Sequence, residues 1–186
     1  MTTSVVAVTT KWGIDPAHSA MSFKIKHLMI SYVRGSFKEF GGSIATNGVN
    51  YMTNEIDFWM NVASIDSGDI KRDEHLRSAD FFDAAHYPKI TFMGSSYAKA
   101  TKDGRYTLTG DLTMKGVTKV IKLDVAFGGV MHDLYGNEKI GFAITGKLNR
   151  KDWGLTWNAA LEAGGMLVSE EVNIACEVQL MKQLID

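Results

Sequence analysis

The chain has 186 residues, 45% of them hydrophobic, and its 20 basic and 21 acidic side chains give a net charge of −1. This length and hydrophobic content fit one globular domain with its own core. The balanced charge argues against nucleic acid as a partner, because binding to phosphates requires a basic surplus. Cys176 is the single cysteine, so an internal disulfide is excluded, and its apolar phase predicts a small buried side chain.

The first ten residues have no basic cluster and too short an apolar run for a secretory signal. No stretch approaches the roughly 20 apolar residues that a membrane-spanning helix needs. The sequence therefore predicts a cytoplasmic protein, and a periplasmic location is the alternative if the chain is a processed form. We expect residues 1–10 to form a flexible segment and residues 11–184 to form a single domain.

Most of the chain alternates apolar and polar residues with a period of two, which predicts β-strands with one buried face. In chain order, the predicted strands are 12–15, 20–27, 33–46, 55–63, 89–97, 105–114, 117–127, 138–149 and 168–181. The apolar phase changes within 33–46, which predicts a bulge near Lys38 and Glu39. Eight or so long antiparallel strands with short connections favour an up-and-down barrel or a curved sandwich.

Two short segments between predicted strands break this pattern. Residues 71–77 have the pattern of a helical turn with charges of both signs, and residues 79–84 that of a short helical or irregular piece. The first segment fits a solvated turn that covers one barrel end. The alternative is a lid whose Arg72, Asp73 or His75 faces a ligand head group. The apolar residues of the two segments would then close the lumen: Leu76, Phe81 and Phe82.

Glycines recur in the predicted strands, and two of them, Gly110 and Gly146, fall in the inward-facing phase. A glycine there either leaves room for a ligand beside the wall or marks a bend in a coiled strand. Taken together with Gly35 and Gly94, these positions favour a hollow lumen over one filled by its own side chains.

Motifs for catalysis or metal binding are missing from the sequence. It contains no His-Glu-x-x-His helix, no cysteine and histidine set with zinc spacing, and no Gly-x-Ser-x-Gly elbow. We therefore expect no metal, no cofactor other than a bound lipid, and no catalytic residue. The alternative is a hydrolytic or stress-related enzyme that uses polar residues at the barrel mouth.

Several blocks of residues, in a fixed order between residues 12 and 182, resemble a known family. The blocks are Trp12-x-Ile14-Asp15-x-x-His18-Ser19, Phe23-x-Ile25-Lys26-His27-Leu28, Val33-x-Gly35-x-Phe37-x-x-Phe40-x-Gly42, Ser64-Ile65-Asp66-Ser67-Gly68, Arg72-Asp73-x-His75-Leu76-Arg77-Ser78-x-Asp80-Phe81-Phe82, Tyr87-Pro88-x-Ile90-x-Phe92, Gly110-Asp111-Leu112-Thr113-Met114-x-Gly116-Val117-Thr118 and Asn149-Arg150-Lys151-Asp152-Trp153-Gly154-Leu155. Together they resemble the YceI-like family of lipocalin-like, polyisoprenoid-binding proteins.

The resemblance implies an all-β fold, an extended eight-stranded antiparallel lipocalin-like barrel with a short helical lid. It also implies an apolar tunnel that holds a polyisoprenoid, an isoprenoid quinone or a fatty amide for carriage, storage or sensing. A homodimer, a role in transport or stress response, and transient membrane contact are further expectations. No nucleic acid partner is expected.

The residues expected to contact the ligand combine the inward phase of the strands with the lid and loop aromatics. They are Phe23, Phe37, Phe58, Met60, Arg72, Asp73, His75, Leu76, Phe81, Phe82, Phe92, Leu112, Met114, Phe127, Phe142, Trp153 and Trp157. Strand periodicity supports the strand members of this set, whereas Trp153, Trp157 and the loop aromatics depend on composition and on the resemblance. For Trp153 and Trp157, capping the core at one barrel end is an equal alternative.

Overall fold

The structure is a computed structural model that describes residues 9–48, 50–53, 55–99, 104–162 and 164–184. The strands in this part of the chain are β1 (Thr9–Ile14), β2 (Ala20–His27), β3 (Ser31–Phe37), β4 (Phe40–Asn47), β5 (Ile56–Asn61), β6 (Ile65–Asp66), β7 (Lys89–Lys99), β8 (Arg105–Met114), β9 (Val117–His132), β10 (Glu138–Asn149) and β11 (Val168–Lys182). The helix α1 spans Ile70–Arg77, and short 3-10 helices span Pro16–His18, Val62–Ser64 and Arg150–Trp153. Most of the expected flexible segment, residues 1–8, lies outside the described residues.

The strands form one antiparallel sheet that closes into a barrel. Its order is β1-β4-β5-β7-β8-β9-β10-β11-β2-β3-β6, and closure follows because β11 also pairs with β1. Three wall positions are each shared by two consecutive strands: β1 and β2, β3 and β4, and β5 and β6. The barrel therefore has eight strand positions, which confirms the predicted fold class.

The single strand predicted over 33–46 is wrong in one respect, because the chain forms two strands there. β3 pairs with β2 and β6, whereas β4 pairs with β1 and β5. The change of partners occurs at Lys38 and Glu39, where the sequence pattern changes phase. The backbone amide of Lys38 donates to Ser64 O at 3.1 Å, and that of Asn61 donates to Glu39 O at 2.8 Å. These bonds satisfy backbone groups that the break removes from the ladder.

The helix α1 lies over one end of the barrel and confirms the predicted helical turn. Asp69 caps its N-terminus, since the carboxylate accepts from the backbone amide of Arg72 at 2.9 Å. Arg77, in its last turn, donates to Ala63 O and Ile65 O, both at 2.9 Å. These contacts fix the helix to the strand below it. No helix in the described ranges is long and apolar enough to cross a membrane.

The inward glycines do not leave empty space at their own positions. A Cβ atom built on Gly35 would lie 2.4 Å from Phe23 Cζ, and one on Gly110 would lie 2.3 Å from Phe92 Cζ. Both phenyl rings therefore lie across a glycine of the neighbouring strand. The lumen is hollow as expected, but its empty space does not lie at these two glycines, because a neighbouring side chain occupies the room beside each of them. Each ring is placed along the wall instead of across the lumen.

Candidate functional site

The lumen contains two adjoining apolar chambers. The lid chamber, whose wall includes residues of α1, has a volume of about 480 Å³. The distal chamber has a volume of about 150 Å³. Five residues line both chambers, and we call them the waist: Met21, Met60, Leu112, Ile174 and Cys176. The lid chamber falls within the range of about 300–1,000 Å³ that is usual for small-molecule sites.

Most of the predicted ligand residues lie in these walls. Phe58, Phe92 and Phe142 line the distal chamber, and Met60 and Leu112 line both. The lid chamber is lined by Phe23, Phe37, Arg72, His75, Leu76, Phe81, Phe82, Met114 and Trp157. The strand periodicity thus identified inward side chains, and the lid aromatics join them because α1 and residues 78–87 fold over the barrel end.

Three predicted ligand residues line neither chamber. Asp73 is buried and accepts from Ser67 N at 2.8 Å and Ser67 Oγ at 2.5 Å. Trp153 is only 2% exposed and donates from Nε1 to Leu112 O at 3.0 Å, so it caps the core from outside the lumen. Phe127 is 36% exposed and stacks on Tyr51 with ring centroids 5.6 Å apart. All three side chains contact residues of the chamber walls (Ser67, Leu112 and Tyr51) without lining a chamber themselves.

Arg72 and Asp73 do not pair with each other; both bind Ser67. Arg72 donates from Nε to Ser67 Oγ at 2.7 Å and from Nη2 to Ser67 O at 2.8 Å. His75, one turn along the helix, lies edge-on to the rings of Phe81 and Trp157 with centroids 5.1 and 4.7 Å apart. The lid is thus held by hydrogen bonds to Ser67, and its aromatic cluster of His75, Phe81 and Trp157 faces the chamber.

Arg150 is a residue of the lid chamber that the sequence analysis did not select. Its side chain is 4% exposed, with Nε donating to Ser169 O at 2.9 Å and Nη1 donating to Trp157 O at 2.8 Å and to Leu155 O. Nη2 is buried without a hydrogen-bond partner among the described residues. Burial lowers the pKa of this guanidinium below its ordinary value. The sequence signal that could have identified Arg150 is its position directly after the predicted strand 138–149, whose apolar phase faces the lumen.

Tyr97 is a second such residue, in the wall of the distal chamber. Its hydroxyl is buried and has no hydrogen-bond partner within the described ranges. Burial, together with the neighbouring Tyr106, raises the pKa of Tyr97, so the hydroxyl stays protonated and able to donate. Each chamber wall therefore includes one residue with a buried donor that has no partner among the described residues and that a guest molecule could satisfy.

A separate groove of about 810 Å³ lies on the outer face of the barrel. Its wall carries charges of both signs, including Lys122 and Lys147 as well as Asp66 and Asp124. Lys147 pairs with Glu171 at 3.2 Å, where both side chains are more than half exposed. This groove is open to solvent and carries charged side chains, whereas the lumen is apolar, although Ser22, Phe23 and Ile174 contribute to both the groove and the lid chamber.

A metal centre finds no support in the described part of the chain, where no group of three or more His, Cys, Asp or Glu side chains could hold an ion. Two hydrogen bonds, His75 Nε2 with Asp80 and His86 Nδ1 with Asp83, each join one imidazole to one carboxylate, at 3.0 and 2.9 Å. They tie the lid segment together.

Comparisons with known proteins agree with this architecture. A family model described as the YceI-like domain matches residues 12–180. UPF0312 protein SAS2572 of Staphylococcus aureus is 34% identical over 171 residues, which cover 91% of this chain and 96% of that protein. The solved Campylobacter jejuni YCEI protein is 32% identical, with a TM-score of 0.68 over 86% of this chain and 90% of its own.

Two more distant structures share the fold alone. Burkholderia cenocepacia BcnA has a TM-score of 0.76 at 23% identity, covering 89% of this chain and 98% of its own. A polyisoprenoid binding domain from Saccharophagus degradans has a TM-score of 0.68 at 16% identity, covering 92% and 98%. Since the family model spans nearly the whole barrel and the Staphylococcus aureus relative matches over almost its full length, the chain belongs to the YceI-like family.

Proposed function

We propose that this protein binds one long-chain apolar lipid, of polyisoprenoid or acyl type, whose tail extends from the lid chamber through the waist into the distal chamber. The observation that carries the proposal is the pair of adjoining apolar chambers inside a closed barrel. The structural likeness to a polyisoprenoid binding domain supports the same class of ligand. The protein acts as a carrier or store and not as a catalyst.

The walls explain why an extended chain fits better than a compact ligand. The distal chamber has a volume of only about 150 Å³ and is lined by Phe58, Phe92 and Phe142, so a single stretched hydrocarbon fits it better than a compact ligand. Each methylene transferred from water to such a site contributes about 0.8 kcal/mol. A tail that occupies both chambers therefore gains far more than one that stops at the waist.

Solvent extraction followed by mass spectrometry tests this function. We expect organic extraction of the purified protein to release one long-chain lipid per chain. Phe142→Trp should lower the occupancy, because it adds bulk inside the distal chamber. Phe127→Trp is the matched control, since its ring contacts that of Phe142 with centroids 5.5 Å apart yet lines neither chamber. A lipid-free extract, together with no uptake of added prenyl or acyl chains, would contradict the function.

We further propose that lipid is exchanged with a membrane at the tip between β2 and β3. Met29 and Ile30 at this tip are 55% and 82% exposed, and Leu28 and Met29 have positive φ angles of 52° and 60°. Bulky apolar residues are unusual in such a conformation. The Leu28 amide donates to Leu167 O at 2.8 Å, and Leu167 lines the lid chamber. The tip therefore lies beside the chamber that must admit the ligand.

Ile30→Asp should slow lipid transfer from vesicles to the protein by about tenfold, because burial of an isoleucine side chain contributes about 1.5–3 kcal/mol. Transfer can be followed with a fluorescent prenyl or acyl chain in donor vesicles. Val120→Asp is the control, since Val120 is 66% exposed on the outer wall of β9. Equal transfer rates for the two variants and the unmodified protein would rule out this route.

A further inference from the structure

Charge is distributed unequally between the two chambers. Three cationic side chains, Lys71, Arg72 and Arg150, contribute to the wall of the lid chamber, and no Asp or Glu of the described residues does so. The distal chamber has no such charge, because no Lys or Arg of the described chain is in its wall and the side chain of Asp57, its acidic wall residue, is exposed on the opposite face of β5 from Phe58. A ligand with one charged end would therefore be bound in a defined direction.

Of these three cations, Arg150 is the one whose side chain is buried and held in a fixed position. Hydrogen bonds to the carbonyl oxygens of Leu155, Trp157 and Ser169 fix the guanidinium plane. All three acceptors are neutral, so they orient the charge without compensating it. Nη2 remains buried and, among the described residues, unpaired. Leaving a buried donor unpaired costs free energy, and more so when the donor is charged.

Neighbouring groups do not compensate this charge inside the chamber. The carboxylate whose charge acts on Arg150 is that of Glu170, which is about half exposed, pairs with Lys151 at 2.5 Å and accepts a hydrogen bond from Asn149 Nδ2 at 3.3 Å. Glu170 does not line the lid chamber. Arg72, by contrast, already donates hydrogen bonds from Nε and Nη2 to Ser67. Arg150 is thus the buried cation that still offers a donor.

Extending the proposed lipid-binding function, we propose that the ligand carries an anionic head group, a carboxylate or a phosphate, which accepts a hydrogen bond from Arg150 Nη2. A neutral alcohol or amide could also accept this bond, but only an anion compensates the buried charge as well. The head lies in the lid chamber, and the tail passes the waist into the distal chamber.

Matched pairs of ligands test the proposal on the folded protein. The pairs are a fatty acid against the primary alcohol of the same chain, and a prenyl phosphate against the corresponding prenol, each measured by displacement of one fluorescent fatty probe. We expect each anion to bind about tenfold or more tightly than its neutral partner, because a hydrogen bond to a charged group contributes about 1.5–3 kcal/mol. The larger of the two ratios identifies carboxylate or phosphate as the natural head.

Variants then assign the preference to a residue. Arg150→Met should reduce the ratio of anion to alcohol affinity to less than about twofold, while the alcohol binds as before. Arg34→Met, on the exposed outer face of β3, should leave the ratio unchanged. If Arg150→Met fails to fold, Lys71→Gln and Arg72→Gln replace it. Loss of the ratio in either of these would assign the head group to the lid and overturn the role of Arg150.

The outcomes separate this inference from the function on which it depends. Equal binding of acid and alcohol by the unmodified protein would overturn the anionic head group but leave lipid binding intact. Failure of all four ligands to displace the probe would instead contradict the proposed function itself.

Discussion

Replacing Cys176 with Phe should shorten the longest lipid that the lumen accepts. Cys176 belongs to the waist and contributes to the walls of both chambers. A phenyl ring there would separate the chambers and exclude the tail from the distal one. Each excluded methylene costs about 0.8 kcal/mol, so a tail that loses about six of them binds about 5 kcal/mol more weakly. That loss corresponds to more than about a thousandfold in affinity.

A series of fatty acids or prenols of increasing length, measured by competition or native mass spectrometry, would show this effect. Short chains that end before the waist should bind the Cys176→Phe variant as they bind the unmodified protein. Cys176→Ala is the control, since it removes the thiol without adding bulk. Overpacking costs about 1–3 kcal/mol of stability, but this cost would weaken all chain lengths equally. A uniform loss across the series would therefore contradict the two-chamber description.

The thiol of Cys176 itself adds no chemistry that would confuse this test. Burial raises its pKa to about 11. At neutral pH it is therefore protonated and a poor nucleophile, and the substitution changes the shape of the waist without removing a charge.

Trp153→Ala should lower the free energy of unfolding by about 4 kcal/mol. The side chain is 2% exposed and fully surrounded, and truncation of a buried tryptophan costs about 3–5 kcal/mol. Urea denaturation of the lipid-free protein would measure the change. Trp153→Phe keeps most of the packing and removes the bond from Nε1 to Leu112 O, so about 1 kcal/mol should be lost.

The Trp153→Phe variant also tests whether Trp153 contacts the ligand, since the sequence predicted that it does but its side chain lines neither chamber. The folded Trp153→Phe variant should bind lipid within about twofold of the unmodified protein, since only a hydrogen bond outside the lumen is lost. Trp59→Ala is a control for tryptophan removal in general. Its ring lies on the outer wall beneath Lys89 Nζ at 4.6 Å, and its loss should cost about 1 kcal/mol. A large loss of lipid affinity in the Trp153→Phe variant would show that Trp153 contacts the ligand after all.

Some of the site could be predicted because its determinants are local. The strands predicted over 20–27, 105–114 and 138–149 coincide with β2, β8 and β10, since a period of two reports which face a strand buries. The same periodicity placed Phe58 and Phe142 in the lumen. Helix α1 was also predictable, because its capping and its length are encoded within a few neighbouring residues.

Other parts of the site could not be predicted, because their determinants are far apart in the chain. Phe127 and Phe142 are cross-strand partners on β9 and β10, yet only Phe142 lines a chamber, since Tyr51 from a distant loop stacks on Phe127. Periodicity gives the face of a side chain but not what covers it. The glycines show the same limit, because the ring that crosses Gly35 comes from β2.

The sequence by itself determined that the chain folds as a barrel of antiparallel strands with an apolar interior and a short lid, because alternation, turns and caps act over a few residues. Only the tertiary structure decided how the interior is divided into two chambers, which of Trp153 and Trp157 faces it, and that Nη2 of Arg150 has no hydrogen-bond partner among the described residues. Those outcomes depend on carbonyl groups and rings that folding brings together from separate strands, and no local pattern specifies them.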